Sequence, residues 1–412
     1  MHSDRSSAAV RRLWAQWGQR GTTAAVVAMT LAVIPLVGHA IWRLVLDPSE
    51  TAAFDLGLRV QVVHGFFAGD PVYKEINFAV YPPASQMLLW PFVGWVDFSV
   101  ARWLWAGSSL ACLLLLSRLL LREMGCEGFW RRAFVALLPL SLYPTAATIA
   151  NGQLPIHLLP PLLAGCLLLK QQRSTLARDL IVAGLMLVAL AKPTLTAPFF
   201  WIVLFVPGSL RPATLCVAGY VGLTLLASLI HGQEPVSLLA DWYEAARWGV
   251  HQGVAKGEAH FSIAELLSNV SGGANSAAYS LAALGLLGAW VWRRRHSDIW
   301  ILLGVSALAA RFWTYHRWYD DLLIILPLVA VLRIAVRDFG NSAQGVVAGV
   351  LFLLNLALLA VPGGRYVFAF VGLEPLESVF IAAQLVGWCC LLLLLVCASE
   401  PEATSGTPPN GT

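Results

Sequence analysis

Apolar stretches long enough to cross a bilayer recur along almost all of this 412-residue chain. A segment in lipid must satisfy its own backbone N–H and C=O groups, which a helix of about 20 apolar residues does. The chain therefore reads as an all-α, polytopic transmembrane helical bundle of about 10–13 spans. Composition agrees, with 58% of residues hydrophobic and 12% charged, where soluble chains are about a quarter charged. A net charge of +4 is too small to point to nucleic acid. Six of the seven cysteines fall in apolar runs and Cys126 in an arginine-rich loop. They show no disulfide framework or metal-ligand spacing and read as small apolar filler.

The first run, TTAAVVAMTLAVIPLVGHAIWRLVL, is longer than a signal-peptide core and no small-residue cleavage site follows it. It is expected to remain as a span. Spans are expected at 22–46, 99–121, 133–150, 155–170, 179–191, 194–206, 212–231, 277–292, 298–312, 321–337, 344–361 and 378–397. The two short runs at 179–191 and 194–206 read as one pair broken at Lys192-Pro193. The run 84–96 is too short to span and reads as a dipping or interfacial helix. The division is then a cytoplasmic segment 1–21, a membrane domain 22–398 and a disordered cytoplasmic tail 399–412. Within the domain, 47–98 forms the first outer loop, with interfacial helices, and 232–276 a large outer loop. Lysine and arginine concentrate in the loops that this arrangement puts inside, including Arg11, Arg12, Arg131, Arg132, Arg211 and Arg293–Arg295. By the positive-inside rule both termini are cytoplasmic and the polar loops near Asp55, Asn151, residues 232–276 and His316 face outward. No internal repeat is visible.

Five outward groups carry chemistry. Asp55 and Arg59 lie on the polar side of a helix whose apolar stripe is Leu56, Val60, Val63 and Phe67; the acid is a candidate base, or it simply pairs with Arg59 or caps the helix. Tyr81-Pro82-Pro83 forces extended chain before a helix, as a re-aimed surface segment or as a plain helix start. Asn151-Gly152-Gln153 is either an ordinary polar turn or a pair of amides for sugar hydroxyls. Lys192 is costly between two half-spans unless it reaches water, a partner or an anion; the plainer reading is a snorkelling lysine. The following half-span can also aim its N-terminus at an anion. In ARFWTYHRWYDD, Arg311, His316 and Arg317 suit a phosphate, with Asp320 and Asp321 to orient them. His316 can also protonate a departing phosphate oxygen. Asn269-Val270-Ser271 is a glycosylation sequon with no supporting context.

One acid, an intramembrane lysine, an amide turn and a cationic cluster on a common face suit displacement at a sugar carbon with a lipid phosphate leaving. Asp55 is the candidate base for the acceptor hydroxyl, and the cations stabilise the charge gained by the leaving phosphate.

The order of Asp55, Tyr81-Pro82-Pro83, Asn151-Gly152-Gln153, Lys192-Pro193 and Tyr315-His316 resembles the polytopic GT-C glycosyltransferases. Over residues 20–335 the chain is most similar to glycosyltransferase family 87, the bacterial polyprenol-phosphate-mannose-dependent α-mannosyltransferase type. The resemblance implies a hexosyltransferase with Asp55 as catalytic base and Lys192, His316, Arg311 and Arg317 toward the donor phosphate. Tyr81, Asn151, Gln153, Asp320 and Asp321 are then substrate-binding. It further implies a polyprenyl-phosphate sugar donor (mannose expected), inversion without a metal or other cofactor, and a glycan or glycolipid acceptor. The implied setting is a bacterial inner membrane, with the site toward the periplasm and membrane lipid as surroundings. The family pattern near the late span often has a Trp and a His-containing pair, whereas Trp313-Thr314-Tyr315-His316-Arg317 has one histidine. Two rival readings are a transporter or flippase of lipid-linked glycan and a polysaccharide polymerase or ligase. The first is opposed by the lack of repeats; the second would put the key residues in 232–276 and leave Asp55 dispensable.

Overall fold

The computed structural model describes residues 3–170, 175–255, 276–338 and 342–398. Residues 256–275, with the Asn269 sequon, and the tail 399–412 lie outside the described residues. Among the described residues the secondary structure is helical, with no strand.

The first half of the chain runs α1 (Ser3–Val45), α2 (Phe54–Ala68), α3 (Val72–Glu75), α4 (Pro83–Val93), α5 (Phe98–Met124), α6 (Phe129–Leu137), α7 (Tyr143–Asn151) and α8 (Pro155–Leu168). There follow α9 (Leu176–Ala189), α10 (Pro193–Thr196), a 3-10 turn at Ala197–Phe199, α11 (Phe200–Phe205), α12 (Leu210–His231) and α13 (Pro235–Ala255). The last part holds α14 (Ser276–Arg293), α15 (Ile299–Phe312), a 3-10 turn at Trp318–Ile324, α16 (Ile325–Asp338), α17 (Ala343–Leu359), α18 (Tyr366–Phe370) and α19 (Pro375–Val396). Side-chain caps start several of them. Asp97, Thr175, Asp298 and Ser342 each accept a backbone N–H of the first turn of α5, α9, α15 and α17, which satisfies donors that a helix leaves open.

Gly18–Val45, Phe98–Met124, Leu210–His231 and Pro375–Val396 are each long and apolar enough to cross a membrane, and the pair Leu176–Ala189 and Pro193–Phe205 adds a fifth, bent by 119°. The apolar helices α8, α15 and α17 are shorter. The chain is thus an all-α polytopic bundle, with fewer full-length helices than twelve apolar runs imply. Two runs differ from expectation. Residues 133–150 form α6 and α7 rather than one helix, because Pro139 and Pro144 bracket a turn closed by Thr145 Oγ1 to Pro139 O at 2.5 Å. The run 321–337 opens as a 3-10 turn. The 84–96 run is an 11-residue helix, α4, with exposed Trp90, Phe92 and Trp95 around it.

The central core is a single apolar cluster that draws on α1, α5, α7, α8, α9, α15 and α16. Helix ends gather at two opposite poles, about 21 Å apart along α15. One pole joins Lys170 to Glu123 at 3.0 Å, Trp300 Nε1 to Glu123 at 3.1 Å and Arg333 to the Glu123 carbonyl at 2.7 Å. Arg178 and Arg211, both paired with Asp179, and Arg294, bonded to Val396 O, close the same pole. The other pole holds α2, the Gln153 turn, Lys192, Trp313 and α13 around a cavity.

Candidate functional site

The cavity has a volume of about 310 Å³ and is walled by α2, the Tyr81-Pro82 segment, the Lys192 break, α13 and the 313–320 stretch. Its polar lining includes Asp55, Arg59, Tyr81, Gln153, Lys192, Arg317 and Asp320.

Asp55 stands in the first turn of α2, which follows Ala53 in the left-handed region (φ 50°). The Ala53 N–H donates to Ala150 O at 3.3 Å, tying the start of α2 to α7. The Asp55 carboxylate accepts no hydrogen bond and forms no ion pair among the described residues, nor does it cap α2. The plain pairing of Asp55 with Arg59 does not form. Arg59 turns inward instead, 4% exposed, and donates to Gly152 O at 2.7 Å, Tyr81 Oη at 3.2 Å and Gln153 Oε1 at 3.5 Å. The expected division of α2 into an apolar stripe and a polar side is therefore modified, since Arg59 is buried along with Leu56, Val60, Val62, Val63 and Phe66.

Gly152 makes that arrangement possible. It ends α7 with φ +66°, and a Cβ there would overlap the Leu56 side chain. Only glycine supplies both the left-handed turn and the close approach. Gln153 lines the cavity, whereas Asn151 bonds back to Ala147 O at 3.0 Å and does not. Pro82 is extended (ψ 161°) and α4 begins at Pro83, so the two prolines hold Tyr81 at the cavity wall. The Tyr81 carbonyl takes bonds from Tyr73 Oη at 3.0 Å and Gln86 Nε2 at 3.2 Å.

Lys192 sits at the kink between α9 and α10. Its Nζ meets Asp320 Oδ1 at 2.6 Å and lies 5.1 Å from the Tyr319 ring. The other Asp320 oxygen receives His316 Nδ1 at 3.1 Å. Lys192 and Asp320 line the cavity; His316, 1% exposed, stands behind them. The half-span after Lys192 opens with one turn of helix. Arg317 lines the cavity and bonds Tyr315 Oη through Nε at 2.8 Å.

Arg311 and Asp321 are placed elsewhere. Arg311 is fully buried, pairs with Asp321 at 2.6 Å and lies 5.1 Å from the Trp388 ring. Tyr143 Oη donates to Asp321 at 2.5 Å and Gln384 donates to Tyr143 at 3.3 Å. This group does not line the cavity, so Arg311 and Asp321 form a core ion pair. Phosphate and substrate contacts expected of them are not available at this position.

The outer loop 232–276 begins as α13, which covers the cavity with Trp242, Ala246 and Gly249. Trp242 Nε1 donates to Val80 O at 3.0 Å, and Gly249 lets the helix sit against Val80. Lys74 of α3 pairs with Asp241 of α13 at 2.9 Å. That hydrogen bond holds the Asp241 carboxyl below the usual carboxylate range. Sequence reasoning did not find Trp242, Tyr319, Gln86 or Phe78 as lining residues, and took Arg59 only as a partner for Asp55. Their signal was the aromatic spacing around each motif, which a membrane belt also shows. Among the described residues no group of three or more His, Cys, Asp or Glu side chains is placed to hold a metal ion.

The model of glycosyltransferase family 87 matches residues 78–332, more than half of the chain. The chain belongs to glycosyltransferase family 87. No curated protein and no solved structure matches it. The matched range of this family 87 glycosyltransferase takes in Tyr81, Gln153, Lys192, Arg317 and Asp320. Asp55 and Arg59 precede it, and their place in the site rests on geometry.

Proposed function

We propose that this membrane glycosyltransferase moves a hexose, mannose by the earlier resemblance, from a polyprenyl-phosphate donor to a glycan or glycolipid acceptor. One observation carries this reading. The Asp55 carboxylate, which accepts no hydrogen bond and forms no ion pair among the described residues, shares a 310 Å³ cavity with three cations, Arg59, Lys192 and Arg317. In the step, the acceptor oxygen bonds to the sugar C1 while its proton passes to Asp55. The C1–O bond to phosphate breaks on the opposite side, inverting C1, and the electron pair leaves with the polyprenyl phosphate. A positioned base of this kind is worth about 10²–10⁴-fold in rate. Cations near the leaving oxygen act mainly where charge develops. The largely apolar wall suits a prenyl chain.

The cavity pole is assigned to the outer face of a bacterial inner membrane, with both chain termini cytoplasmic. The support is charge: Lys170, Arg178, Arg211, Arg294 and Arg333 gather at the opposite pole, and cytoplasmic ends are the basic ones. The test of function is a screen of polyprenyl-phospho-sugars with purified enzyme, lipid and glycan products being read by mass spectrometry. Wild type is expected to transfer and Asp55→Asn to lose about 10²–10⁴-fold. Normal transfer by Asp55→Asn would refute the base.

A further inference from the structure

Arg59 is a buried cation with no counter-ion among the described residues. Among the described residues no carboxylate pairs with it. Its three hydrogen bonds run to neutral acceptors, and its buried Nε has no partner. The rings of Tyr81 and Trp105 lie 5.4 and 5.3 Å from the guanidinium carbon. Ring faces and carbonyl dipoles soften the burial of a full charge but do not cancel it. Lys192, by contrast, is already paired with Asp320, and Arg317 has partners of its own, Tyr315 Oη among them. Arg59 also lines the cavity, so its unmet charge is within reach of a bound molecule.

We propose that Arg59 is the phosphate seat of the site. Resting on the reading of this enzyme as a polyprenyl-phosphate-sugar transferase, its guanidinium takes the single negative charge of the donor phosphodiester. It then holds the second charge that the phosphate gains as the C1–O bond breaks. The guanidinium turns an Nη N–H, otherwise held only by the long 3.5 Å contact to Gln153, to the anion while the Gly152 bond keeps it in place. Among the described residues, one uncompensated cation in the cavity matches a monophosphate-linked donor better than a diphosphate-linked one, which brings a further charge into a site of low dielectric.

The test uses full-length enzyme in detergent and three probes: citronellyl phosphate, inorganic phosphate and citronellol. Citronellyl phosphate is expected to bind wild type and to bind Arg59→Gln roughly 10- to 100-fold more weakly. Arg59→Lys, which keeps charge but not the fork, falls between them. Citronellol is expected to bind all three alike. Inorganic phosphate bound by wild type and lost in Arg59→Gln also supports the seat, with the phosphate and not the chain being what Arg59 reads. Equal citronellyl phosphate affinity in wild type and Arg59→Gln overturns the proposal, leaving Arg59 a tie between α2 and the Gly152 turn. Protection of wild-type Arg59 from phenylglyoxal by citronellyl phosphate, read by peptide mass spectrometry, answers the same question if Arg59→Gln does not fold. No protection overturns the seat. Sugar transfer that continues with an unchanged KM in Arg59→Gln removes this inference alone. A wild type that binds no polyprenyl phosphate removes the proposed function with it.

Discussion

At the scale of single residues, the site depends on where buried charges find partners. Lys192 and Asp320 satisfy each other at 2.6 Å, both nearly sealed from solvent. Removing one partner of such a pair strands the other, so Lys192→Met or Asp320→Asn is expected to destabilise by about 3–5 kcal/mol. The double variant should cost clearly less than the two together, read as thermal unfolding in detergent. Gly152→Ala is expected to cost about 1–3 kcal/mol, since alanine meets both the left-handed backbone and Leu56; an unchanged melting temperature would contradict the packing described. Much of this was legible in sequence. Asp55, Tyr81, Gln153 and Lys192 each stood out against apolar surroundings, and all four line the cavity. Asp320 and Asp321 could not be told apart, because they are neighbours in the chain. In the 3-10 turn successive side chains diverge by about 120°, which sends Asp320 to the cavity and Asp321 to the core.

At the scale of elements, two helices close the cavity and each was read from sequence only in part. The amphipathic pattern of α2 predicts a helix but not the inward turn of Arg59, which depends on a carbonyl 93 residues away. The 232–276 loop was visible as a long polar insertion able to cover a substrate, and α13 does line the cavity, yet nothing local marked what anchors it there. The anchor is Trp242 reaching Val80. The Lys74–Asp241 bridge adds an exposed tie, with Lys74 62% exposed, and such pairs contribute about 0–1 kcal/mol. Because the Asp241 carboxyl is lowered, this contribution is present above the ordinary carboxylate range and lost as pH falls through the lowered value. The stability difference between wild type and Lys74→Ala should therefore be small and flat from about pH 7 to 5, begin to shrink near about pH 4 and vanish only below the lowered value. A difference that grows on acidification would contradict the sign.

At the scale of the whole molecule, the two poles differ in charge, and that asymmetry predicts sidedness. In a background without native cysteines, Glu50→Cys near the cavity pole should react with an impermeant maleimide in intact cells. Lys170→Cys should react only after permeabilisation. The reverse pattern would invert the assigned orientation. The helical class and the broken span at Lys192 were plain from hydropathy, whereas the split of 133–150 into α6 and α7 was not, since apolarity alone does not mark a turn sealed by its own hydroxyls. The sealed pair of Arg311 and Asp321 bears on how the chain reaches its place at all. The two charges sit ten residues apart on either side of the α15–α16 hairpin, so they can neutralise each other while that hairpin enters the bilayer during synthesis. In the folded bundle Tyr143 and Gln384, from distant segments, complete the pair.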